Sequence, residues 1–151
     1  MCLITKQSDA KIASKDITCY KVLLKSGNVY ISPCKHFAFF QNQPNPNKVF
    51  NAEKSYWLEN FSSDDLKPNY IDDEGNFSLL PVSYELNSGF FHMYKDYESA
   101  LKELKNDIVT LEPSIIFECV IPKGSRYYEG VTALYSVPSI ASDKLKIIKQ
   151  L

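Results

Sequence analysis

The stretch Ile115–Gly130, IIFECVIPKGSRYYEG, constrains the fold more than any other part of the chain. An apolar run, Ile115–Ile121, enters the turn Pro122-Lys123-Gly124-Ser125, and a second strand-like run follows with Arg126, Tyr127, Tyr128 and Glu129. Apolar runs on both sides of a glycine-containing turn predict an antiparallel hairpin, Ile116–Ile121 with Tyr127–Val131. Tyr20–Leu24 and Val29–Ser32, joined through Ser26-Gly27-Asn28, predict another. Phe37–Phe40 and Phe77–Leu86, the latter interrupted by Pro81, are further strand candidates. Leu145-Lys146-Ile147 alternates as a final strand with one wet face.

One helix is well marked. Asp96 is a suitable N-cap, and Tyr97, Ala100, Leu101 and Leu104 fall on one apolar stripe at i, i+3, i+4 and i+7. Glu98 and Lys102 form a favourably ordered i,i+4 pair on another side. Leu101 and Leu104 are therefore expected to be buried against a sheet. A second helix is expected over Ala52–Asn60, capped by Asn51 and burying Tyr56, Trp57 and Phe61. Residues 5–16 read as an extended basic lead-in and 62–76 as an acidic surface loop. No βαβα alternation and no repeat is visible. The expected fold is α+β, a mostly antiparallel bent sheet with one or two packed helices. It forms a single globular domain over 1–151, with 41–76 a loop-rich insertion.

Composition narrows the function class more than it defines one. At 151 residues and 44% hydrophobic content the chain is long enough to bury a core, roughly 70% of its unfolded surface for this size. A net charge of −1 provides no general attraction to nucleic acid or anionic lipid. Charge is unevenly spread, with +4 over residues 1–35 and −5 over 53–75, so self-complementary association as a homo-oligomer is a possibility to test. The four cysteines, Cys2, Cys19, Cys34 and Cys119, are separated by 16, 14 and 84 residues and match no zinc or CxxC spacing. No disulfide, metal or cofactor is expected. The opening apolar run is too short for a secretory signal, and no run is long enough to span a membrane. The cytoplasm is the expected compartment.

Candidate chemistry rests on few residues. After removal of Met1, Cys2 would carry both a thiol and an α-amine, the arrangement of N-terminal nucleophiles, although Leu3 and Ile4 continue it as an ordinary strand. His36 and His92 are the only imidazoles, and His92 stands at an expected strand-to-helix corner before Asp96. Glu118 alternates with Phe117 and Cys119 and faces away from them. His92 and Glu118 are thus the candidates for catalysis. Arg126, the chain's single arginine, combines with Tyr127 and Tyr128 as a guanidinium beside two aromatic plates, suited to binding a nucleotide-like ligand. The Lys123-Gly124-Ser125 turn is expected to aim backbone N–H groups at the same ligand's anionic group. Alternation allows only one of the two tyrosines to face that ligand.

The segments MCLITK…KDITCYKVL, GFFHMYKDYESALKEL and VIPKGSRYYEG…IASDKLKI resemble a group of small proteins from gut Bacteroidetes and their tailed phages. That resemblance implies an origin rather than a reaction. A fainter likeness links Tyr20-Lys21-Val22, then Gly89-Phe90-Phe91-His92 with Ala100, then Glu118 and Pro122-Lys123-Gly124, to ADP-ribosyltransferase-like folds. Lys21 stands where those enzymes use Arg or His, and their Ser-Thr-Ser signature is absent. The leading expectation is a non-enzymatic phage or phage-derived accessory protein, in the host cytoplasm, that binds a protein partner or a small nucleotide-like ligand. A divergent ADP-ribosyltransferase-like enzyme and a structural virion component are the alternatives.

Overall fold

A computed structural model of the chain describes residues 3–32, 38–41, 44–52, 65–86, 89–106 and 113–151. The first half of the chain contributes β1 (Leu3–Thr5), β2 (Lys11–Ile12), β3 (Ile17–Ser26), β4 (Val29–Ile31), β5 (Ala38–Gln41), β6 (Phe50–Asn51) and β7 (Leu66–Asn69). The second contributes β8 (Ser83–Leu86), β9 (Phe91–Tyr94), α1 (Tyr97–Asn106), β10 (Ser114–Ile121), β11 (Arg126–Thr132), β12 (Pro138–Ser142) and β13 (Lys144–Gln150). The strands form an open sheet in the order β6-β13-β10-β3-β9-β12-β11-β1-β8-β7, with β2 on β11 and the β4–β5 ribbon on β3. Every pairing among the described residues is antiparallel. The α+β architecture expected from the sequence is therefore the one the chain adopts, with α1 packed on the sheet.

The β3–β4 hairpin forms as expected, with Ser26 opposite Val29 and Leu24 opposite Ile31. Gly27 has φ 59° at the first central position of its two-residue turn, a conformation that a hairpin of this length requires and a side chain resists. The Ile116–Ile121 run does not pair with Tyr127–Val131. One edge of β10 is taken by β3 over eight residue pairs, from Ser114–Leu24 to Ile121–Ile17, and the other by β13. β11 instead lies between β12 and β1, with β2 also on it. Two long apolar strands paired over eight residue pairs outweigh the local preference of a four-residue turn.

Alternation along each strand divides the side chains between two faces. On one face Cys19 and Leu23 of β3, Phe117, Cys119 and Ile121 of β10, Met93 of β9 and Leu145 and Ile147 of β13 form the main core. Tyr30 closes it with an edge-to-face contact on Phe117, ring centroids 5.2 Å apart. Lys21 is also buried on this face, and its Nζ donates to the His92 carbonyl at 2.8 Å. The opposite face carries two smaller clusters. Val22, Tyr94, Ile116, Ala100 and Val137 pack under the helix, with Leu101 and Leu104 half-buried against them. Leu3, Leu86, Phe90, Tyr128 and Ala141 fill the second. The helix begins at the expected cap, where Asp96 Oδ1 accepts from the Ser99 N–H at 2.7 Å.

Two further expectations change. Residues 62–76 contain a strand, β7, which pairs with β8 through Leu66–Leu86 and Asn69–Ser83. Its Pro68 is tolerated because β7 ends the sheet, where a missing N–H breaks no ladder. Asn51 lies in β6 opposite Lys144, and beyond Ala52 the helix expected over Ala52–Asn60, with Tyr56, Trp57 and Phe61, lies outside the described residues. The lead-in 5–16 includes β2, and Ala13 is buried in the main core. Gly130 has its own steric requirement, since a Cβ there would stand 2.0 Å from the Ile4 carbonyl oxygen. Only glycine lets β1 approach β11 so closely.

Candidate functional site

Arg126 opens β11, and its neighbours come from distant parts of the chain. Its guanidinium forms an ion pair with Asp65, just before β7, and lies over the Phe90 ring at 5.6 Å from the centroid. Tyr128, two residues along the same strand, points to the same face and meets Phe90 edge-on, centroids 5.4 Å apart. Around this nucleus lies a cleft of about 410 Å³, lined by Ser8, Asp9, Ala10, Asp65, Leu66, Tyr84, Arg126 and Tyr128. The volume falls within the range of small-molecule pockets.

The two tyrosines separate as strand alternation requires. Tyr127 turns to the other face and packs against the main core. Tyr128 lines the cleft, yet only 2% of it is accessible, so it is packed wall rather than an open stacking plate. Burial pushes the Tyr128 hydroxyl above its ordinary value, the Asp65 charge adds to that, and the neighbouring Arg126 opposes it. The Arg126 guanidinium is raised first by its hydrogen bond to Asp65 and is permanently charged. With Asp9 and Asp65 against Arg126, the formal charges lining the cleft sum to −1.

The backbone cradle expected at 123–125 is already used. The Lys123 N–H donates to Asp16 Oδ1 at 2.8 Å, and the Gly124 N–H donates to the Ala13 carbonyl at 2.8 Å. Ser125 N–H donates to the Pro122 carbonyl at 3.1 Å, while Arg126 N–H donates to Asp143 Oδ1 at 3.0 Å. These bonds tie the turn to the segment before β3 and to the β12–β13 corner. No amide in the turn is left to receive an anion.

His92 and Glu118 occupy the same face as the cleft but different places on it. His92 lies opposite Ala141, which lies opposite Tyr128, placing His92 and Tyr128 two strands or roughly 10 Å apart. The histidine is buried, at 8% accessibility. Glu118 stands opposite Tyr20, and Tyr20 opposite Tyr94. Its carboxylate faces Lys149 Nζ at 3.8 Å, and Tyr20 packs edge-on against Tyr97 of the helix at 6.1 Å. Tyr20 is thus engaged by the helix and Glu118 by β13. Cys2, Cys34 and His36 lie outside the described residues. Cys19 and Cys119 are directly opposed, free and buried. Burial pushes both thiols up, that of Cys119 to about 12 despite the opposing Lys21 charge, so neither is poised as a nucleophile.

Asp65, Tyr84 and the Ser8–Ala10 segment were not among the residues singled out from sequence. Asp65 had a signal, since an acidic segment and a lone arginine are natural partners. Tyr84 and Ser8–Ala10 had none, because only the β11-β1-β8 order brings them together. Among the described residues no cluster of three or more His, Cys, Asp or Glu side chains suited to a metal occurs, and no helix is long and apolar enough to cross a membrane. No family model matches the chain, and comparison with curated proteins and with solved structures finds no match either.

Proposed function

We propose that this chain is a non-enzymatic binding protein that takes a small planar, nucleobase-like ligand in the Arg126 cleft. The observation that carries this is the Arg126–Asp65 pair set beside Tyr84 and Tyr128 at the wall of a 410 Å³ space. A guanidinium presents several donors in one plane and a carboxylate presents acceptors, so together they match a ring edge that bears both. The net acidity of the lining favours the base of a nucleotide over its phosphate. The consumed amides of the 123–125 turn point the same way. An accessory role of the phage type fits the resemblance of the chain's three segments, and a protein that holds a small ligand without transforming it needs no general base. The buried His92 and the Lys149-paired Glu118 are consistent with that.

Isothermal titration with a panel of nucleobases, nucleosides and their 5′-monophosphates tests the proposal. At least one nucleoside is expected to bind as tightly as its monophosphate or more tightly. Arg126→Ala, shown by circular dichroism to be folded, is expected to weaken that binding about tenfold, or about 1.4 kcal/mol. Unchanged affinity in the folded variant removes the cleft as the site. Preference for the monophosphate over the nucleoside removes the assignment of the base to it.

A further inference from the structure

The chain between β7 and β8 exposes apolar side chains from a tightly built hairpin. Ile71 and Phe77 are bridged antiparallel, and the tip between them is organised by Asp72. Its Oδ1 accepts from the N–H groups of Glu74 at 3.0 Å and Asn76 at 2.7 Å, and its own N–H donates to the Asn76 carbonyl at 3.0 Å. The backbone hydrogen bonds at Asp72 hold its carboxyl below the ordinary range, Asn76 contributing most. Tyr70 and Phe77 stack with centroids 6.5 Å apart. On this scaffold Phe77 is 74%, Leu79 88% and Leu80 75% accessible. Beside it lies a second cleft of about 540 Å³, with Ile4, Val82 and Val131 on its apolar walls, Asp72, Asp73 and Glu129 as its carboxylates and Lys6 as its one cation, a formal balance of −2.

Large apolar residues presented to water by one ordered hairpin mark an interaction surface. Its charge selects the occupant. Asp72, Asp73 and Glu74 crown the hairpin, so an anionic membrane surface would be repelled. A second copy meeting the same face about a two-fold axis would bring two acidic tips together. We propose that the 70–82 hairpin and the cleft beside it dock a segment of another protein, one whose aromatic or aliphatic side chains are flanked by lysine or arginine. The apolar groups enter against Phe77, Leu79 and Leu80, and the cations meet Asp73 and Glu74. The hairpin is mounted on the sheet through β8, whose Tyr84 and Glu85 pair with Thr5 and Ile4, so the surface is presented ready-made. This surface is separate from the Arg126 cleft, which lies on the opposite face of β11.

Panning a random displayed dodecapeptide library against the full chain, then measuring fluorescence polarisation of the selected peptides, tests the proposal. Selected peptides are expected to combine aromatic or aliphatic residues with lysine or arginine. The double variant Leu79→Ser/Leu80→Ser, unchanged in circular dichroism because both side chains are exposed, is expected to lose about tenfold in affinity. Asp73→Asn/Glu74→Gln is expected to lose less affinity and to flatten its salt dependence. The proposal is overturned by no enrichment over bare matrix, by selected peptides without cationic residues, by binding that survives Leu79→Ser/Leu80→Ser, or by binding lost in Arg126→Ala. Concentration-dependent oligomers of the chain that Leu79→Ser/Leu80→Ser dissolves would assign the surface to a second copy. Co-sedimentation with phosphatidylserine-containing vesicles, lost in that same variant, would assign it to a membrane. Either result overturns a protein partner.

Discussion

Glu129 shows how much of this molecule's surface chemistry is set by single side chains. Its carboxylate meets Lys95 Nζ at 2.8 Å and Lys11 Nζ at 3.1 Å, joining the end of β9 to β2 across β11. The Lys95 hydrogen bond is the largest influence holding the carboxyl below its ordinary value of 4.5, with burial opposing and Lys11 assisting. A carboxyl depressed in the folded state contributes stability that is complete above the unfolded value and is lost as pH falls through the folded one. In urea denaturation, the stability gap between the native chain and Glu129→Gln is therefore expected to be flat from about pH 7 to about pH 5 and to shrink below about pH 4.5. The group is one-third exposed, so solvent screening keeps that gap modest. A gap that widens on acidification would contradict the assignment. Arg126 was legible in the sequence at this same scale, because a lone arginine beside two tyrosines stands out from its neighbours. The destination of each tyrosine was legible only as an alternation. Which of them faced the core depended on strands 100 residues away in sequence, so Tyr127 and Tyr128 could be separated but not ranked.

At the scale of elements, local signals were read well and competition for strand edges was not. The helix over Tyr97–Asn106 follows from its cap and stripe, and the β3–β4 hairpin from a two-residue glycine turn. Leu104, however, is half-buried rather than enclosed. Leu104→Ala is accordingly expected to cost about 1–2 kcal/mol, below the 2–5 kcal/mol of a fully buried leucine that cannot be refilled. Urea denaturation measures this directly, and a loss under about 0.5 kcal/mol would place the side chain outside the packed stripe. The β10–β11 pairing failed because the chemistry of Pro122–Ser125 describes a turn, not the partner to which the turn delivers the chain. Here the turn docks on Ala13 and Asp16 and hands β11 to β12, β1 and β2. β7 was missed for the opposite reason. Leu66-Lys67-Pro68-Asn69 carries none of the usual strand signals, and its pairing comes from β8 alone.

At the scale of the whole molecule, sheet order creates the site. Most neighbours in the order are distant in sequence: β13 lies beside β10 and β6, β3 beside β10, and β1 between β11 and β8. The fold class was visible from the abundance of short apolar runs and the single capped helix, since an antiparallel sheet tolerates such runs in many orders. The order itself was not visible, because it depends on which long strands pair over their full length. The Arg126 cleft inherits that difficulty, being assembled from the Ser8–Ala10 segment, Asp65 and Leu66, Tyr84 on β8, and Arg126 and Tyr128 on β11. The most direct test of the account is a backbone and arginine side-chain NMR titration of the full chain with the tightest-binding nucleoside from the panel. The predicted result is saturable shifts confined to Ser8–Ala10, Asp65–Leu66, Tyr84 and Arg126–Tyr128, including the Arg126 Nε–H. Shifts centred instead on His92 and Glu118, or no nucleoside that shifts the Arg126 Nε–H, would contradict it.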